Sequence, residues 1–186
     1  VAEFIIAVIL EHARDLEEGK RRGRKGNYSE MGIPAFELKN KVFGIVGLGT
    51  IGSRVAEIAH GFGADTKYWS RNRKKEAEKK GIKYESLDKL LTDADVLSIN
   101  LAQTLETEKM FDKKVFAKIK KGAVVINTAP MDLVNIDALA KRLKQKDMTF
   151  ILDHSDEMAE VDLAKISKYE NCIIYPPMAY ISHEAA

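Results

Sequence analysis

The sequence predicts an α/β fold, a doubly wound parallel sheet in a single domain. Three observations carry that reading. Short β-rich runs alternate with helical stretches from residue 42 to residue 175. The runs are apolar at successive positions, as strands covered on both faces must be. The first run leads through Gly47-Leu48-Gly49-Thr50-Ile51-Gly52 directly into an amphipathic helix, which is the setting a nucleotide-binding glycine turn requires.

From Val1 to about Gly19 the chain is densely apolar and then fades into Glu17, Glu18, Lys20, Arg21, Arg22, Arg24 and Lys25. This predicts a helix buried at its start and solvated at its end, with basic residues where the helix dipole favours them. The basic run reads as a solvated helix end rather than a phosphate site. Residues 26–40, with Gly26, Gly32 and Pro34, read as an arm or loop.

Strands are expected over 42–47, 66–70, 96–101, 123–128, 149–153 and 172–175. Helices are expected over 50–61, 87–92, 112–120, 136–145 and 161–168, and residues 181–186 read as the start of a C-terminal helix. The main domain then covers 41–180, with a strand order near 3-2-1-4-5-6.

Composition restricts the partners. The 186 residues are 45% hydrophobic, enough for one sizeable core. Charged residues form 31% of the chain but nearly cancel to +2, which argues against nucleic acid or an anionic membrane and for a small-molecule or protein partner. The single Cys172 excludes an internal disulfide and a multi-cysteine zinc site, reads as a small buried strand residue, and fits a reducing compartment. The apolar opening VAEFIIAVIL is broken by Glu3, is too short to span a bilayer and lacks the basic head of a signal peptide, so a cytoplasmic location is expected. Beginning at Val1 without an initiator Met, the sequence reads as a piece of a longer chain.

In the glycine turn each residue has a distinct task. Gly47 permits the tight turn, Gly49 lets backbone approach a pyrophosphate, and Gly52 lets the helix pack on the strand. The N–H groups of Thr50 and Ile51 then face the phosphate from the positive end of the helix. This is a Rossmann dinucleotide turn. At the end of the second strand an NAD site presents an acid to the ribose 2′-hydroxyl. Here Trp69 is followed by Ser70, Arg71, Asn72, Arg73, Lys74 and Lys75, and Asp65 lies at the opposite end of the strand. A hydroxyl and an Arg suit a 2′-phosphate, with Ser70 and Arg71 as its ligands and Arg73 assisting, which favours NADP over NAD. A merely solvated loop is the competing reading.

The segments VAEFIIAVIL, KVFGIVGLGTIGSRVAEIAHGFGA, SLDKLLTDADVLSINLAQTLET, KIKKGAVVINTA, ILD and NCIIYPP stand in the order seen in a known family. Together they resemble the nucleotide-binding domain of the D-isomer-specific 2-hydroxyacid dehydrogenases. Within that family WSRNRK is similar to the NADP-preferring glyoxylate and hydroxypyruvate reductases. The resemblance implies that residues 1–25 are an interdomain crossover helix with a basic end, and that the following arm helps to build a homodimer. It also implies a separate substrate domain, made mainly from an N-terminal third and a C-terminal tail, which this sequence does not include. It further implies hydride transfer between a nicotinamide and a 2-hydroxy or 2-oxo acid, using an Arg for the carboxylate and a His–Glu acid/base pair.

Residue by residue, the carry-over of this chemistry fails. The Arg position is Pro130, the Glu position Met158 and the His position Pro177. None of these side chains can bind a carboxylate or titrate near neutrality. His154 directly after Asp153, Asp156 and Glu157 one or two places from the Glu position, and His183 in the expected final helix are the nearby substitutes, and a lone His at a strand end commonly has a structural role. The cofactor side is better kept. Asp153 matches the acid that accepts from the nicotinamide carboxamide, although a helix N-cap reading stands beside it. Ala129 matches the carbonyl that does the same, and Leu101, Ala102 and Thr104 match the loop beside the adenosine. Three functions follow in order: a dinucleotide-binding domain without its own catalysis, an NAD(P)-sensing or scaffold protein of the same fold, and a reductase of small 2-oxo acids with relocated acid/base groups.

Overall fold

The computed structural model describes residues 1–29, 32, 33 and 35–183. The elements are α1 (Ala2–Arg14), α2 (Leu16–Arg24), β1 (Val42–Val46), α3 (Thr50–Gly61), β2 (Asp65–Trp69), α4 (Lys75–Lys79), β3 (Lys83–Tyr84) and α5 (Leu87–Asp93). They continue with β4 (Val96–Ile99), α6 (Lys113–Lys118), β5 (Ala123–Asn127), α7 (Ile136–Leu143), β6 (Met148–Leu152), α8 (Glu160–Ser167) and β7 (Cys172–Ile174). Two 3-10 turns, Met131–Leu133 and Ser155–Glu157, follow β5 and β6. Residues 184–186 of the expected C-terminal helix lie outside the described residues.

All six strand pairings are parallel, and the sheet runs β3-β2-β1-β4-β5-β6-β7. The architecture is the expected α/β sheet, but the expected six-strand order needs correcting. The segment expected as third strand, 96–101, lies beside β1 and not beside β2. The outer place beside β2 belongs to the unforeseen β3, which pairs through Lys67↔Lys83 and Tyr68↔Tyr84. A two-residue strand has no readable periodicity. It is held by its partner and by an edge-on contact of Tyr84 with Tyr68, 5.5 Å between ring centres.

The opening helix is also two helices. Asp15 adopts φ 48°, ψ 52° between them, and its N–H bonds back to the carbonyls of Glu11 and His12. α1 buries Ile5, Ile6, Val8, Ile9 and Ala13, whereas α2 buries nothing.

Two apolar layers clothe the sheet, as two-faced strands require. In β5, Ala123 and Val125 join the layer beneath α5, α6 and α7, while Val124 and Ile126 join the layer with α1 and α3. Each such buried Val or Ile contributes about 1.5–3 kcal/mol relative to exposure. Gly44 sets the closeness of one layer: a Cβ there would stand 3.0 Å from Leu97 Cδ1 and 3.1 Å from Ala94 Cβ and Leu90 Cδ1. Among the described residues no helix is long and apolar enough to cross a membrane.

Candidate dinucleotide site

Because every strand points the same way, the segments that follow the strands all emerge along one edge. The order reverses at β1 and β4, and ligands of open α/β sheets bind in the crevice at such a switch point.

Gly47 adopts φ +95°, and a Cβ there would lie 2.6 Å from the Asn100 carbonyl oxygen. The turn therefore needs both the left-handed backbone and the close approach of the β4 end. At Gly52 a Cβ would come 2.1 Å from the Gly47 oxygen, so α3 sits directly on the turn. Gly49 differs: a Cβ there would meet nothing within 4 Å. The protein has no internal need for a glycine at that position, and the open space faces the crevice. Gly49 is also the N-cap of α3 and supplies no capping side chain. The first N–H groups of α3, those of Thr50 and Ile51 included, have no carbonyl within the helix to bond.

One cleft of about 300 Å³ brings Gly49, Thr50, Ile51, Leu101, Ala102 and Ala129 together with Asn100, Thr128 and Pro130. A second, of about 490 Å³, lies between the glycine turn and α4 and is lined by Gly49, Thr50, Ser53 and Lys74 among others. The predicted glycine-turn and loop residues are therefore neighbours in space. Thr104 lies farther along its loop, its N–H donating to Thr107 Oγ1 at 2.8 Å.

At the far end of the crevice Asn127 is fully buried; its Nδ2 donates to the Ala129 carbonyl at 2.9 Å and its Oδ1 accepts from the Ala129 N–H at 3.3 Å. This clamp orients the Ala129 carbonyl, which keeps a second lone pair. Asp153 is 1% exposed; its Oδ2 accepts from the Ala179 N–H at 3.0 Å, while its buried Oδ1 accepts no hydrogen bond among the described residues and lies 4.0 Å from His154 Nε2. Burial pushes the Asp153 carboxyl above the ordinary carboxylate range, opposed by the Ala179 N–H. Asp153 caps no helix. The following 3-10 turn has His154 at its N-cap and no side-chain capping bond. A buried acceptor without a hydrogen bond is costly, and a carboxamide N–H is the kind of group that would satisfy it.

The strand-end basic group is more committed than its sequence suggests. Ser70 Oγ donates to the Asn72 carbonyl at 2.6 Å. Arg71 pairs with Glu106 at 2.9 Å. Arg73 grips both oxygens of Glu78, at 3.0 and 2.6 Å, and stacks over the Tyr84 ring, while Tyr68 also donates to Glu78. Lys74, to which the sequence assigned no role, lines the same cleft as Gly49 and Thr50, beside Glu57 and Glu76, with no carboxylate paired to it among the described residues. Its only signal was membership of a basic run. Asp65 begins β2, at the opposite end from the crevice, and pairs with Lys83 at 2.8 Å.

Pro130 lines the cleft, whereas Met158 is half-buried against the core. Pro177 is half-buried two residues before Ala179. His154 lies 3.7 Å from Glu157 Oε1 and 4.0 Å from Asp153 Oδ1. Asp156 and His183 are exposed. No group of three or more His, Cys, Asp or Glu among the described residues is arranged to hold a metal.

The switch-point crevice, the open space at Gly49 and the Asp153 oxygen left without a hydrogen bond define a Rossmann domain for a dinucleotide. Comparison with known proteins narrows the class. Residues 6–179 match the family model described as "D-isomer specific 2-hydroxyacid dehydrogenase, NAD binding domain", and the chain belongs to this family. It is 30% identical to a 2-hydroxyacid dehydrogenase homolog of Zymomonas mobilis over 100% of this chain and 59% of that protein. It is 40% identical to the glyoxylate reductase of Aeropyrum pernix over 77% of this chain and 45% of the relative. A crystal structure of the Aquifex aeolicus D-lactate dehydrogenase, complexed with NAD and lactic acid, superposes with TM-score 0.89 at 30% identity, covering 99% of this chain and 60% of that one. The chain thus spans about three-fifths or less of the length of these relatives.

Proposed function

We propose that this chain binds a dinucleotide, NADP in preference to NAD, and does not itself catalyse hydride transfer. The observation that carries the reading is a contrast between two sets of positions. The groups on the cofactor side are built, from open Gly49 to the Asp153 oxygen left without a hydrogen bond, while the three family catalytic positions hold Pro130, Met158 and Pro177.

In this reading the α3 N-terminus and Gly49 receive the pyrophosphate. Ser70, Arg71 and Lys74 face the adenosine 2′-phosphate, with Arg73 bracing their loop. Leu101, Ala102 and Thr104 flank the adenosine, and Asp153 and the Ala129 carbonyl orient the carboxamide. A bound nicotinamide supplies the hydride carrier. Lacking a cationic carboxylate clamp and a titrating pair, the chain has nothing to orient a 2-oxo acid or deliver its proton. A small 2-oxo or 2-hydroxy acid is a partner only where a substrate domain is supplied.

Calorimetric titration with NADPH and NADH tests binding, with NADPH expected to bind more tightly; equal affinity removes the 2′-phosphate assignment. Turnover of glyoxylate or hydroxypyruvate above a heat-killed control would overturn the absence of catalysis. His154, between two carboxylates, supports a second reading as a relocated acid/base; turnover that disappears in His154→Asn selects it. The arm at 26–40 is proposed to join two copies, which sedimentation equilibrium checks.

A further inference from the structure

Arg71 reaches across the mouth of the crevice. It follows β2, whereas Glu106 belongs to the loop that follows β4, and β1 with its glycine turn separates those strands. The guanidinium donates to Glu106 Oε2 at 2.9 Å, with the two side chains 77% and 74% exposed.

Glu106 is presented there by its own loop. Thr107 Oγ1 donates to the Ala102 carbonyl at 2.8 Å and accepts from the Thr104 N–H at 2.8 Å. The Lys109 N–H reaches the Asp132 carbonyl at 2.8 Å, and the Phe111 N–H reaches Leu133 at 2.9 Å. The backbone is therefore tied on both sides of Glu106, and the carboxylate remains near Arg71 when the pair opens.

The other guanidinium is held differently. Glu78 is shared between Arg73 and the Tyr68 hydroxyl, whose oxygen also accepts the Lys74 N–H at 2.6 Å. Displacing Glu78 would dismantle the loop, whereas displacing Glu106 breaks one exposed pair.

We infer that Glu106 is a selectivity residue that competes with the adenosine 2′-phosphate for Arg71. The inference rests on the reading that Arg71 meets that phosphate. A phosphate monoester carries about −1.5 to −2 charges at neutral pH. When it takes Arg71, Glu106 loses its partner and faces a like charge. NAD brings no such group, and the Arg71–Glu106 pair persists. Glu106 therefore weakens NADP binding selectively and narrows the preference that the strand-end cations establish.

The test is calorimetric titration of the full chain and of Glu106→Gln, Arg71→Gln and the double variant with NADPH and NADH. Both side chains are exposed, and thermal melts establish that each variant folds. Glu106→Gln is expected to tighten NADPH about two- to fivefold, the range commanded by an exposed ion pair, with NADH unchanged. Arg71→Gln is expected to weaken NADPH, and in that background Glu106→Gln no longer tightens it. Equal tightening of both dinucleotides, or a gain that persists without Arg71, overturns the inference in favour of a general field effect. If Arg71→Gln weakens NADPH while Glu106→Gln changes nothing, the role of Glu106 fails alone. If Arg71→Gln binds NADPH as the parent does, the 2′-phosphate assignment fails and the inference with it.

Discussion

Replacing Gly49 and Gly52 separately by Ala should split the two duties of the glycine turn. At Gly49 the backbone has φ −85° and ψ −158°, and the new Cβ meets nothing within 4 Å. Removing a glycine from the unfolded chain stabilises by about 0.4–1 kcal/mol. Ala is a poorer N-cap than Gly by a similar amount, about 0.5–1 kcal/mol. The two offset each other, and Tm should move by less than about 2 °C. Affinity for the dinucleotide should nevertheless fall more than tenfold, a loss of about 1.4 kcal/mol, because the methyl fills space the pyrophosphate needs. At Gly52 the Cβ would stand 2.1 Å from the Gly47 oxygen, inside the 3.0 Å that real Cβ atoms respect. α3 must withdraw by roughly 1 Å, an overpacking cost of about 1–3 kcal/mol, seen as a Tm lower by about 2–12 °C. Thermal melts paired with calorimetric titration of NADPH read both effects. A Gly49→Ala protein that binds like the parent, or one destabilised more than Gly52→Ala, would refute the assignment of Gly49 to the ligand and Gly52 to the fold.

Burial raises the Asp153 carboxyl, so the folded state holds its proton more tightly than the unfolded chain and wild-type stability from this group declines as pH rises above about 4. Asp153→Asn should therefore be more stable than the parent at pH 7, with the gap closing below about pH 4 in pH-dependent urea melts; a gap independent of pH contradicts this. The same variant should weaken NADH but not ADP-ribose, which lacks the carboxamide. Tyr175 donates to Glu11 at 2.6 Å, tying the β7 exit to α1, and burial followed by that hydrogen bond pushes its hydroxyl well above 10. Tyr175→Phe should cost about 1–2 kcal/mol, and since the protonated hydroxyl is the stabilising form, the deficit should shrink once pH rises past about 10; a constant deficit through that range argues against it. Gly44→Ala should destabilise by about 1–3 kcal/mol, because Leu97 of β4, Ala94 and Leu90 of α5 stand 3.0–3.1 Å from the new methyl; an unchanged urea midpoint would show that these side chains yield freely.

Much of the site was readable because its signals are short-range. Gly47, Gly49 and Gly52 fall within six residues, and the two-faced strands announce themselves within five. Pro130, Met158 and Pro177 could be located by position after recognisable strands. The commitments of the strand-end cations were not legible. Arg71 meets Glu106 across 35 residues of chain, and nothing local to either residue encodes the meeting. Arg73 meets Glu78 of α4 only five residues on, yet Tyr68 and Tyr84 hold that pair by packing β2 against β3. β3 has too few residues for a periodic signal and exists because β2 offers it an edge.

By itself, then, the sequence determined the alternation of parallel strands and helices, the glycine turn after β1 and the chemical identity of every side chain at the crevice. Those properties depend on side-chain spacing and on glycine geometry, both local. Only the tertiary structure decided that β4 lies beside β1, that the Asp153 Oδ1 is buried without a hydrogen bond among the described residues, and which of the two strand-end arginines is held by an exposed, displaceable carboxylate. Each of these is a balance of burial and pairing among residues brought together by packing, and it acquires a sign only after the sheet has formed.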